Sequence, residues 1–144
     1  MFIGEYKHTI DSKKRLAIPV KFRKELGDKA MLTRGLDGCL FVFPLREWEQ
    51  LAEKLGRLPF GQQDSRGFAR LLLAGALEVE FDQLGRILVP DFLKDYAALK
   101  KEVVIAGLFN KLEIWDGARW SSYKANLEKN SDRIAEKLGE LGII

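Results

Sequence analysis

The 144-residue sequence contains one cysteine, Cys39, and one histidine, His8. A lone cysteine excludes an internal disulfide framework and fits a reducing compartment such as the cytoplasm. With a single imidazole, neither a histidine-rich metal site nor paired-imidazole chemistry can be built within one chain. His8 reads as a strand surface residue and Cys39 as a small buried hydrophobe in a strand. There is no Cys-x-x-Cys pair and no glycine-rich loop leading into Lys-Ser or Lys-Thr, the arrangement that grips nucleotide phosphates. Acidic residues are plentiful, but no spacing singles out an acid–base pair. An enzyme, a cofactor or a small-molecule substrate therefore has no support in the sequence. The longest apolar runs, such as Leu71–Ala74 and Val103–Ala106, fall far short of the roughly 20 residues that cross a bilayer, so no membrane partner is expected. Met1–Glu5 lacks the basic-then-apolar order of a secretory signal.

What is present is a chain with 47% hydrophobic residues and abundant charge of both signs, the composition of a globular protein. The net charge of +3 is unevenly spread. Residues 1–72 hold 14 lysines and arginines against nine acidic residues, whereas residues 73–144 hold ten against twelve. The first half is the better match for a polyanion.

The chain also repeats itself. Ile10–Pro19 aligns with Phe81–Pro90 at an offset of 71, matching Asp11 with Asp82, Arg15 with Arg86 and Pro19 with Pro90. After one inserted residue the match resumes: Gly35 with Gly107, Leu40 with Leu112, Val42 with Ile114 and Trp48 with Trp120. A unit of about 70 residues sits near the lower limit for an independent core, so the two copies are expected to lean on each other.

Local signals occur in the same order in each copy. Glu5–Ile10 and Leu77–Phe81 read as short strands, returning after a polar turn as Arg15–Ile18 and Arg86–Val89 to make a hairpin. Pro19 and Pro90 suit the first turn of a short helix. Ala30–Leu32 with Cys39–Phe43, and Val103–Ala106 with Leu112–Trp115, read as second hairpins. Amphipathic helices follow at Glu47–Leu55 and along a stripe from Trp120 to Leu141, with polar Asn130 and Ser131 at its middle. Trp48 and Trp120, at the starts of these helices, read as core residues. A connector from Gly56 to Ser65 leads to a helix through Phe68–Ala74, capped by Asp64 or Ser65.

A hairpin tip bearing Asp11, Lys13, Lys14 and Arg15 has the chemistry for DNA. Lysines supply point charges for phosphate, an arginine fork can make two parallel bonds to a guanine edge, and a two-stranded ribbon fits a major groove. The Asp-x-x-x-Arg pattern also reads as a turn aspartate braced by its arginine. The second copy carries Gln83-Leu84-Gly85 in place of Ser12-Lys13-Lys14, with Glu78 and Glu80 just before it. Arg86 is the one nucleic-acid contact expected there, ranked below Arg15.

The Met-Phe-Ile-Gly-Glu-Tyr start, Asp11-x-x-x-Arg15 followed by Leu-Ala-Ile-Pro, Gly-Leu-Asp-Gly-Cys-Leu, and Asp82-x-x-x-Arg86 followed by Ile-Leu-Val-Pro together resemble the MraZ family over practically the whole chain. The resemblance implies an α+β fold of two tandem SpoVT-AbrB-type (swapped-hairpin, AbrB/MazE-like) β-barrel repeats with flanking helices. The repeats fall at 5–48 and 76–120, with a helical connector at 49–75 and a C-terminal helix at 121–144. It implies a cytoplasmic, nucleoid-associated transcriptional regulator that forms a ring-shaped homo-oligomer. Its partner would be double-stranded DNA carrying short repeats upstream of the bacterial division and cell-wall gene cluster, including its own gene. Carried over, Arg15 and Arg86 face the DNA, while Asp11 and Asp82 orient the turns. The alternative is a ring-forming protein-interaction module whose DNA contact is secondary.

Overall fold

The first strand of each copy pairs with the other copy. In a computed structural model of residues 1–144, β1 (Phe2–Thr9) runs antiparallel to β7 (Glu102–Phe109), from Phe2 opposite Phe109 to Thr9 opposite Glu102. In the same way β5 (Leu77–Glu80) runs antiparallel to β3 (Lys29–Arg34). The second strands, β2 (Arg15–Ala17) and β6 (Arg86–Leu88), pair with each other as a separate ribbon. The expected first hairpin is therefore a turn without a ladder: Ile10 and Leu16 form one isolated bridge before the chain crosses over. The second hairpins form as expected, β3 with β4 (Leu40–Pro44) and β7 with β8 (Lys111–Asp116).

The main sheet has the order β1-β7-β8-β4-β3-β5. Exchanging the copies turns this order into its own reverse, so the sheet has a pseudo-two-fold relation centred on the β4–β8 pair, where Phe41 lies opposite Glu113. The expected barrel does not close. The sheet keeps β1 and β5 as edges, and the β2–β6 ribbon is not hydrogen-bonded into it.

Alternation along the central strands explains the two cores, because successive side chains of a strand point to opposite faces. Leu40, Val42, Leu112 and Ile114 face the ribbon and join Leu16, Ile18, Phe22, Ile87, Val89 and Leu93 in one cluster drawn from both copies. Phe41, Phe43 and Trp115 face the other way and pack with Cys39, Trp48, Leu55 and Leu72. At about 1.5–3 kcal/mol for each large side chain removed from water, neither copy alone supplies the apolar partners that the first cluster needs.

Helices close the ends. Pro19 and Pro90 stand at the N-cap positions of α1 (Val20–Leu26) and α4 (Asp91–Tyr96). Helix α2 (Leu45–Gly56) buries Trp48 and Leu55. Helix α3 (Gln63–Ala69) begins after Gln62 with no side-chain cap, so neither Asp64 nor Ser65 caps it, and it passes into a π-helical turn at Arg70–Ala74. Carbonyls at that end are otherwise orphaned; the buried Thr33 hydroxyl donates to the Leu72 carbonyl at 2.7 Å. The C-terminal stripe divides into α5 (Gly117–Lys129) and α6 (Ser131–Glu140), broken at Asn130, whose side chain donates back to the Asn126 carbonyl. Asp116, buried, caps α5 by accepting from the Arg119 N–H.

Candidate nucleic-acid interface

The two Asp-x-x-x-Arg turns have the same atomic construction. Asp11 Oδ1 accepts from the backbone N–H groups of Lys13 and Arg15, both at 2.9 Å, while Oδ2 accepts from Arg15 Nε at 2.8 Å. Asp82 accepts from the N–H groups of Leu84 and Arg86 and from Arg86 Nε at the same distances. Both carboxyls are held below the usual carboxylate range, chiefly by the bond from the arginine backbone N–H, with the guanidinium bond and charge adding to it against a desolvation effect. The structural brace expected of the motif is thus present in both copies, and it uses Nε alone. No bond within the chain occupies the Arg15 Nη groups.

The turns require a left-handed residue at the position before each arginine, filled by Lys14 with φ 63° in one copy and Gly85 with φ 73° in the other. Glycine takes this conformation freely; a lysine takes it at a cost of about 1–2 kcal/mol. The carbonyls of these two residues accept from the opposite copy, Gly85 from Ile18 N–H and Lys14 from Val89 N–H. The exchange is reciprocal, so each turn is locked by the strand that leaves the other.

Pairing of β2 with β6 brings the two motifs into one site. Arg15 lies opposite Leu88, Leu16 opposite Ile87, and Ala17 opposite Arg86. Directly opposed residues share a face of the ribbon and neighbours alternate. Leu16 and Ile87 are buried in the core, which puts Arg15, Ala17, Arg86 and Leu88 together on the outward face, with the two arginines on a diagonal. Arg86 also reaches across, placing Nη1 3.9 Å from Asp11 Oδ2.

The lysines differ in their surroundings. Lys13 is exposed and makes no ion pair, whereas Lys14 Nζ is bound to Asp91 Oδ2 at 2.7 Å. Glu78 and Glu80 flank Lys29 of β3, at 3.7 and 3.6 Å, which offsets part of the negative charge before the second motif. Lys7 and His8 lie on β1 in a groove shared with Trp120 and Lys124 of α5. Trp48 is a core residue as expected, while Trp120 is only half-buried, packs 5.4 Å from Trp115 and donates to Glu5. The Cys39 thiol is buried and shifted upward by desolvation first and by the Glu113 charge second, so it is an inert group.

Sequence reasoning took Arg23 only as one more basic residue on the helix after the first motif, and it did not place Leu88 on the arginine-bearing face. Arg23 of α1 donates through Nε to the Ile18 carbonyl at 3.0 Å, and its guanidinium lies over Gly85, where a Cβ would overlap it. Gly85 aligned with a lysine was the available signal that this turn is closely covered. Leu88 could be recognised only from the register of two strands remote in sequence.

The ribbon is a narrow two-stranded element with two arginine forks on its exposed side, a shape that a major groove about 12 Å wide admits. The chain matches the family model described as MraZ protein twice, over residues 1–71 and 72–139. Proteins named Transcriptional regulator MraZ are similar to it end to end. Those of Halothermothrix orenii and Acetivibrio thermocellus are 52% and 50% identical, and that of Natranaerobius thermophilus 48%, each over 99% of this chain and the whole of the relative. Two matched halves that coincide with the internal repeat, and relatives matched along their full length, place the chain in the MraZ family.

Proposed function

We propose that this protein is a sequence-specific transcriptional regulator that reads double-stranded DNA with the β2–β6 ribbon. The observation that carries the reading is the outward face on which Arg15 and Arg86 stand diagonally, each braced through Nε and so pre-oriented to present its Nη groups to base edges or phosphates. Lys13 adds a free charge for phosphate. Each copy is a SpoVT-AbrB-type unit, at 5–48 and 76–120, completed by its partner copy. The regulator acts on short repeats upstream of the division and cell-wall gene cluster, including its own gene, as a nucleoid-associated ring. A ring presents the ribbon many times, so modest single contacts add through effective concentration on an array of repeats.

The test is a mobility-shift titration with repeat-containing and scrambled DNA. Wild type should prefer the repeats, and Arg15→Ala, checked for fold by circular dichroism and for assembly by sedimentation, should lose most of that binding. Unchanged affinity in the variant sinks the reading. A second reading, a ring-forming interaction module with secondary DNA contact, is favoured by Leu108 and Phe109, exposed at the β7–β8 turn. It forecasts no preference between the two DNAs.

A further inference from the structure

The outward face of the ribbon is not symmetric, although its backbone is. Arg15 stands opposite Leu88, and Arg86 opposite Ala17, which is the repeat counterpart of Leu88. Leu88 is 56% exposed beside the arginine. On a strand whose neighbour Ile87 is fully in the core, an outward leucine left more than half exposed gains little from folding. We infer that Leu88 is a specificity-determining residue that contacts the 5-methyl group of a thymine next to the base read by Arg15; this rests on the ribbon being the DNA-reading element.

Directly opposed residues of an antiparallel pair have Cβ atoms about 4.5–5.5 Å apart, and successive base pairs rise about 3.4 Å. With Arg15 engaged on one base pair, the Leu88 side chain falls on an adjacent step. The one apolar group that projects from a major-groove edge is the thymine methyl; apart from the flat C5–H of cytosine, the other groove-facing atoms are hydrogen-bond donors and acceptors. Ala17, one carbon long, does not rise to the same height beside Arg86. The Arg15 row therefore reads two adjacent base pairs and the Arg86 row one, and the site it selects has a direction.

The experiment starts from duplexes enriched from a random pool by the full-length protein, remade with deoxyuridine at single thymine positions. Deoxyuridine keeps the pairing edge and removes only the methyl. Wild type should lose about threefold to fivefold in affinity at one position, the gain expected from burying one methyl group. Leu88→Ala should bind thymine and uracil duplexes equally, whereas Arg86→Ala should bind more weakly and still discriminate. Leu88→Met, which keeps the apolar reach, should retain the discrimination. A wild-type protein indifferent to uracil at every position overturns the inference, as does a Leu88→Ala variant that still discriminates. Failure to enrich any motif overturns the DNA reading itself, which separates the two failures.

Discussion

Arg86 Nη1 lies 3.9 Å from Asp11 Oδ2, so an arginine of the second copy reaches the turn of the first. Both surfaces are partly exposed, and such a pair contributes little to stability. Its importance is geometric, because it shows that the two motifs, 71 residues apart in sequence, form one arginine-bearing face.

On the proposed reading both arginines of that face contact DNA. Arg15→Ala and Arg86→Ala should each reduce affinity for the preferred DNA by about 1–3 kcal/mol, the usual value of a base-reading arginine. Fluorescence anisotropy at fixed salt measures both. An Arg86→Ala variant that binds like wild type shows that only the first turn reaches the DNA.

On the proposed reading, salt dependence separates Lys13 from the residues that contact bases. Lys13→Ala should lower the slope of log affinity against log salt by about one without altering sequence preference. Leu84, 67% exposed at the equivalent place in the second turn, offers the complementary gain: Leu84→Lys should raise the slope by about one. An unchanged slope in both variants indicates that the turn tips stand clear of the phosphates.

Asp11 and Asp82 give stability an acid limb. Their folded carboxyls titrate below the ordinary value, so near pH 4 the unfolded chain binds more protons than the folded one. Their contribution is then complete above about pH 4 and is lost as pH falls through the lowered folded values. Thermal unfolding across this acid range should show wild type losing its advantage over the Asp11→Asn/Asp82→Asn double variant. A gap that stays constant to the acid end contradicts the bracing described above.

Much of the repeat architecture was legible from the sequence, and its limits were physical. The turns could be read because Asp and Arg side chains act within four residues of each other, and the second hairpins because each closes through a local turn. Pairing of β1 with β7 and of β2 with β6 could not be read, because every strand offers the same backbone groups to local and remote partners alike. The remote pairing wins where it buries Leu16 against Ile87 and Val89 in a shared core. The ranking of Arg15 above Arg86 compared turn sequences, Lys13-Lys14 against Leu84-Gly85; the structure adds that both turns are built with the same hydrogen bonds and that Lys14 is bound to Asp91. The break at Asn130 was visible as a polar interruption in the stripe, and the π-helical turn had no local signal at all.

Gly85, the one glycine of the ribbon and its turns, should resist replacement. Gly85→Ala places a Cβ at φ 73° and against the Arg23 guanidinium, and should cost about 1–2 kcal/mol for the backbone alone. Gly61, which has open space around it and no left-handed conformation, provides a control whose replacement by alanine should be close to neutral. Denaturant titrations of the two variants make the comparison. Equal midpoints would falsify the assignment of strain to the turn.

The strand exchange also sets a schedule for biosynthesis. Phe2 waits for Phe109, and at a synthesis rate of about 5–20 residues per second the first strand leaves the ribosome roughly 5–20 seconds before its partner exists. During that interval the nascent first copy presents Ile10, Leu16 and Phe22 without Ile87, Val89 and Leu93, which share their cluster in the finished fold. A neighbouring nascent chain on the same message carries the missing strands, so the step that completes one molecule is the same step that, taken between two, would tie them together.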